Sequence, residues 1–172
     1  AIQVYQMTAK ELLEGGHSFD LIYADPARRG EAEEKVIRLE DYSPNVRELL
    51  PKIQSKGKHY LFKVSPMFDI KLGLKQLEGV EEVHVVSYKN EVKELLFLGK
   101  RGYASEPTVI ANNLQAQDEL LKFKYSDEQH AQIEYGSISS YLYEPNASII
   151  KAGAFKTIAW NYQLQKLHAG CN

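Results

Sequence analysis

The chain has 172 residues, 44% of them hydrophobic and 26% charged, with a net charge of −2 and a pI of about 6.3. Those proportions are near the average for soluble globular proteins and exclude a disordered or fibrous chain. They also exclude a global positive field able to hold a phosphate backbone, so any nucleic-acid contact has to be local. The single cysteine, Cys171, allows neither an internal disulfide nor a two-cysteine metal spacing, which fits a reducing cytoplasm. No apolar run approaches the roughly 20 residues that cross a bilayer, and the first residues lack the charged-then-apolar pattern of a signal peptide.

Val4 to Met7 is weakly strand-like, and Thr8 caps a short helix from Ala9 to Leu13 with Glu11 at the capping-box position. Gly15-Gly16 ends it. Phe19 to Ala24 is an almost unbroken apolar run, the pattern of a strand covered on both faces in a parallel sheet. Asp25-Pro26 stops that strand, because proline has no N–H to give to a ladder.

After a charged connection, Ser43-Pro44 reads as a helix start. Val46, Leu49, Leu50 and Ile53 keep helical spacing, and Gly57 supplies the exit. His59 to Val64 is a second strand of the buried type, followed by Ser65-Pro66. Leu72, Leu74 and Leu77 mark another helix, closed by Gly79. Val83 to Tyr88 and Glu94 to Leu98 are strands separated too briefly for a crossover, so they form an antiparallel pair. The order strand, helix, strand, helix, strand, strand is the second half of a doubly wound α/β sheet with an antiparallel last strand.

From Pro107 the texture changes, and a boundary is placed near residue 125. Short strands are expected at Gln129 to Gly136 and Ser139 to Tyr143, then one helix from Ala147 to about Leu164, where Ile149, Ile150, Ala154, Phe155, Ile158 and Ala159 recur at helical spacing. Tyr141, Tyr143, Phe155 and Trp160 have the chemistry to stack on bases, although aromatics of this kind more often belong to a core. The basic groups Arg28, Arg29, Lys35 and Arg38, and Lys93, Lys100 and Arg101, read as solvated faces. His17, His59, His84, His130 and His168 show no metal-ligand spacing, so no metal site is assigned.

Taken together, FDLIYADPARRG, FKVSPMFDI and VSYKNEVKELLFLG resemble the C-terminal half of class I methyltransferases that use S-adenosylmethionine. With YLYEPNASIIKAGAFKTIA added, the chain resembles more narrowly the bacterial methyltransferases with an appended ferredoxin-like or THUMP-like module. The resemblance implies a partial methyltransferase domain over residues 1–125 and the start of a small α+β module over 126–172. It implies S-adenosylmethionine as cofactor, and RNA, either tRNA or rRNA, as substrate. No glycine-rich turn for the cofactor precedes Asp25, and the first residue is Ala1, so the chain is expected to be a fragment, inactive alone. In the family's strand order of three, two, one, four, five, seven, six, the four strands read here would be adjacent. Phe19 to Ala24 would then be an apolar edge open to a partner, a second copy included.

The same resemblance distributes roles. Asp25, with Pro26, would line the acceptor pocket at the carboxyl end of its strand, orient the nucleophile and take its proton. Thr8 and Ala9 would meet the adenine ring, Asp25 would also border the cofactor, and Arg28, Arg29, Ser65 and Pro66 would flank the substrate. Uridine C5 chemistry is disfavoured, because Ser65-Pro66 stands where those enzymes need a nucleophilic cysteine. Asp25, Lys63 and Glu91 occupy places like those of three members of the lysine, aspartate, lysine, glutamate tetrad of ribose 2'-O-methyltransferases. A snorkelling Lys63 and a plain helix cap at Thr8 are the structural alternatives. The rival for the whole chain is a noncatalytic RNA-binding or assembly module on a degenerate methyltransferase fold.

Overall fold

A computed structural model describes residues 2–28, 38–115 and 120–170, with the Arg28 side chain excepted. Its helices are α1 Ala9–Glu14, α2 Val46–Lys56, α3 Ile70–Gln76, α4 Tyr125–His130, α5 Ala147–Ala152 and α6 Phe155–Asn161. Its strands are β1 Phe19–Ala24, β2 Ala27–Arg28, β3 Tyr42–Ser43, β4 Gly57–Val64, β5 Val80–Tyr88, β6 Glu91–Lys100, β7 Thr108–Asn113 and β8 Leu120–Phe123. Six strands form one sheet in the order β1-β4-β6-β5-β7-β8, while β2 and β3 pair separately. The first four positions reproduce the expected order of four adjacent strands, with β1 at the edge. The chain divides into two compact units, Ala1–Glu81 with Phe97–Ala104, and Glu82–Leu96 with Ser105–Asn172.

In the first unit α1 begins as expected. Thr8 accepts the Glu11 amide at 3.2 Å, and the Glu11 carboxylate accepts the Thr8 amide at 2.7 Å, which closes the capping box. Val4 to Met7, expected to be weakly extended, forms no strand, since nothing in the described residues pairs with it. Helix α2 is capped by Asn45 rather than started at Pro44, and it buries Val46, Leu50 and Ile53 along one stripe. Pro51 lies inside it and cannot donate to the Arg47 carbonyl; the burial of the stripe outweighs the missing bond.

Strands β1 and β4 run parallel, with Leu21 opposite His59, Ile22 opposite Tyr60, Tyr23 opposite Leu61 and Ala24 opposite Phe62. That register corrects the expectation of two covered faces. Tyr60, Phe62 and Val64 are buried on one face, whereas Leu21 and Tyr23 on the other are 50% and 54% exposed. An unbroken apolar run cannot by itself distinguish an edge strand covered on one side from a central strand.

The core is aromatic. Tyr60 stacks on Phe62 at 4.5 Å between centroids, and Phe68 stands edge-on to Phe97 at 6.0 Å. Two glycines make room for these rings: a Cβ at Gly99 would lie 2.0 Å from the Tyr60 ring, and one at Gly73 would lie 2.6 Å from Phe97. The Tyr60 hydroxyl donates to the Glu78 carbonyl at 2.6 Å, and burial, then the Glu78 charge, push its ionisation above the usual tyrosine range.

In the second unit Lys89 and Asn90 both have positive φ, the two-residue turn that joins neighbouring strands β5 and β6 as a hairpin. Strand β7 then pairs parallel with β5 and antiparallel with β8. Strands β7 and β8 are not among the elements the sequence predicts, because Val109 to Ala111 is an apolar run of only three and LLKF is interrupted by Lys122, too short for a period to emerge. The strand expected at Gln129 to Gly136 is instead the end of α4 and an irregular segment, with one bridge from Tyr135 to Lys166. Ser139 to Tyr143 forms no strand. The single helix expected from Ala147 is two, because Gly153 at φ 75° ends α5 and donates to the Ile149 and Ile150 carbonyls. Among the described residues, no helix is long and apolar enough to cross a membrane.

Candidate functional site

The parallel register dictates the site. One step beyond Ala24 and Phe62, Asp25 stands opposite Lys63, and both side chains leave the sheet on its less covered face beside Tyr23 and Leu61. The Lys63 Nζ lies 2.8 Å from Asp25 Oδ2, with the two side chains 30% and 50% exposed. Both charges therefore sit at the carboxyl ends of adjacent parallel strands, where ligands of open α/β sheets bind. As an ion pair this open to water it adds little stability. Its chemistry is positional: the ammonium holds one oxygen, while the half-exposed carboxylate keeps lone pairs for an incoming N–H or O–H.

Pro26 is buried directly behind Asp25 and stops the strand. The chain then makes β2, whose Ala27 faces Ser43 and whose Arg28 faces Tyr42 in β3. Arg28 is thus placed by its backbone, and Arg29 lies outside the described residues. After β4, Ser65 begins a tight turn: its carbonyl accepts the Phe68 amide at 2.9 Å and its Oγ accepts the Met67 amide at 3.2 Å. Pro66 is half-buried beside it. Of the residues expected to flank a substrate, Arg28 and Ser65-Pro66 therefore lie on segments that follow neighbouring strands.

Other sequence-derived residues behave differently. The Thr8 amide and hydroxyl are committed to Glu11, at 2.7 and 2.8 Å from its Oε2, which leaves the exposed backbone at Ala9 for any adenine. Glu91 opens β6 in the second unit and pairs with Lys93 of its own strand. Tyr141, Tyr143 and Trp160, read more readily as core, are 76%, 66% and 63% exposed, while Phe155 is half-buried under the Lys166 ammonium. An open groove in the second unit includes Trp160, Gln132, Glu134 and Gln165. Among the described residues, no His, Cys, Asp and Glu side chains group as a metal site.

One residue of this region was not singled out in the sequence. Tyr42 is buried, its ring is edge-on to Phe68 at 6.4 Å, and its hydroxyl accepts the Ser65 amide at 3.1 Å. No spacing rule marks it, because its partners lie 14 and 23 residues away in sequence.

Residues 141–170 match the family model of a ferredoxin-like domain. A crystal structure from Porphyromonas gingivalis W83, described as a "putative methyltransferase", is 37% identical in sequence and superposes with a TM-score of 0.78. The match covers 87% of this chain and 37% of that one, so the chain spans well under half the length of the protein it resembles. No curated protein matches the chain. The fold is therefore α/β, a methyltransferase-like, mostly parallel sheet with an antiparallel edge, followed by a small ferredoxin-like module.

Proposed function

We propose that the chain is part of an S-adenosylmethionine-dependent methyltransferase acting on RNA, of the class I type, with a THUMP-like module following the sheet. The observation that carries this reading is the Asp25–Lys63 pair at the carboxyl ends of two parallel strands in register. Similarity at 37% identity to a protein described as a methyltransferase supports it. The cofactor would supply the methyl group. In this chain the exposed backbone at Ala9 is what would meet its adenine, since Thr8 is occupied by its own helix cap.

The chain's own residues then orient the acceptor. Asp25 accepts a hydrogen bond from the nucleophile and takes its proton as the methyl arrives, and Lys63 fixes the carboxylate while it does so. In this reading Pro26, Ser65 and Pro66 form the walls around that acceptor, and Arg28 and Arg29 are the candidate substrate contacts that the sequence supplies. Glu91 is bound to Lys93 of its own strand.

The test uses the full-length protein. Calorimetry should give saturable S-adenosylmethionine binding, and tritium should pass from the labelled cofactor to RNA from cells lacking the gene. Asp25→Asn should lower transfer by about 10²-fold while leaving cofactor affinity unchanged. No cofactor binding by the full-length protein would favour the noncatalytic RNA-binding alternative. Cofactor binding together with transfer to protein rather than RNA would overturn the substrate assignment.

A further inference from the structure

The Asp25–Lys63 geometry requires that the segments following β1 and β4 keep their spacing after the ladder between those strands has ended. Tyr42 is a buried residue that touches both, one through its backbone and the other through its side chain. Its backbone pairs with Arg28, three residues beyond Asp25, and its hydroxyl accepts the Ser65 amide, two residues beyond Lys63. The ring is locked against Phe68, itself fully buried and bonded through its amide to the Ser65 carbonyl. A rigid aromatic arm of fixed length therefore spans the two loops.

We propose that Tyr42 is a positioning residue that sets the width of the acceptor site between Asp25-Pro26 and Ser65-Pro66. This rests on the methyl-transfer reading above. The hydroxyl matters separately from the ring. A phenylalanine would keep the contact with Phe68 but leave the Ser65 amide without its acceptor, and the turn would relax toward water. Methyl transfer depends on alignment, and a displacement of about 1 Å at such a site costs on the order of 10²-fold in rate. The Tyr42–Ser65 hydrogen bond is one that the β1–β4 pairing does not duplicate.

The experiment compares the full-length protein with its Tyr42→Phe variant. The readouts are tritium transfer from S-adenosylmethionine to RNA from cells lacking the gene, thermal melting, and amide exchange over residues 65–68 by mass spectrometry. We expect kcat to fall by about 10 to 100-fold, with KM for the cofactor and the melting temperature unchanged and exchange at Ser65 accelerated. Wild-type kcat in the variant overturns the proposal. So does a loss of kcat that comes with an equal loss of melting temperature and cofactor affinity, because that marks general unfolding. Absence of transfer by the unmutated protein condemns the methyl-transfer reading, and this role for Tyr42 with it, an outcome distinct from failure of the variant alone.

Discussion

In the first unit Tyr60, Phe62, Phe68 and Phe97 are fully buried, and Gly73 and Gly99 are shaped around them. Beyond residue 125 the large aromatics Tyr141, Tyr143, Trp160 and Tyr162 are between 63% and 76% exposed, and the helices are fixed by polar groups at their ends. Asn146 caps α5 through the Ser148 and Ile149 amides, while Glu128 accepts the Lys156 amide at 2.8 Å and the Thr157 amide and hydroxyl at 2.7 and 2.8 Å. One region is thus ordered by the volume of its rings and the other by hydrogen bonds at helix starts. The difference matters for the site. Asp25 and Lys63 stand on strands backed by the aromatic core, so their spacing inherits its rigidity.

The sharpest way to break this contrast is Phe97→Ala, which removes a fully buried ring packed against Gly73 and Phe68 and should cost about 3–5 kcal/mol. Urea denaturation measures it, and a loss below about 1 kcal/mol would mean that the rings are not what orders this unit. Next comes Glu128→Ala, which leaves the first amides of α6 without their acceptor. A loss of about 1–2 kcal/mol is expected. Glu128→Gln, which retains an acceptor oxygen, should lose less; equal losses in the two variants would show that charge rather than the cap is at stake.

The smallest expected effect is a pH dependence in the polar region. The Glu106 carboxylate accepts the Ser126 hydroxyl at 2.6 Å and its amide at 2.8 Å, and these bonds hold its pKa below the ordinary 4.5. Because the folded value is the lower one, its stabilising contribution is present above 4.5 and is lost as pH falls through the depressed folded value. The melting temperatures of the protein and of Glu106→Gln should therefore differ at neutral pH and converge in acid. A gap that widens on acidification would reverse the assigned sign.

Much of the first unit was legible in the sequence because its signals are local and redundant. Thr8 and Glu11 announce a capping box three residues apart, Gly57 ends α2, and FDLIYA and HYLFKV are apolar over most of their length. The later segments were less legible. The apolar pattern of ASIIKAGAFKTIAW continues through Gly153 as though the helix did, yet the glycine's left-handed conformation breaks it. In β7 only three consecutive residues, Val109, Ile110 and Ala111, are buried, too few for a period to emerge.

The sequence by itself determined the order of the first strands and helices, and it placed Asp25-Pro26 at the end of a strand, because chain stiffness and apolar periodicity act over a few residues. Only the tertiary structure decided that Asp25 stands across from Lys63, that one face of β1 lies open, and that Tyr42 reaches Ser65. Those contacts depend on the register between distant strands. A shift of one residue in that register would send each side chain to the opposite face.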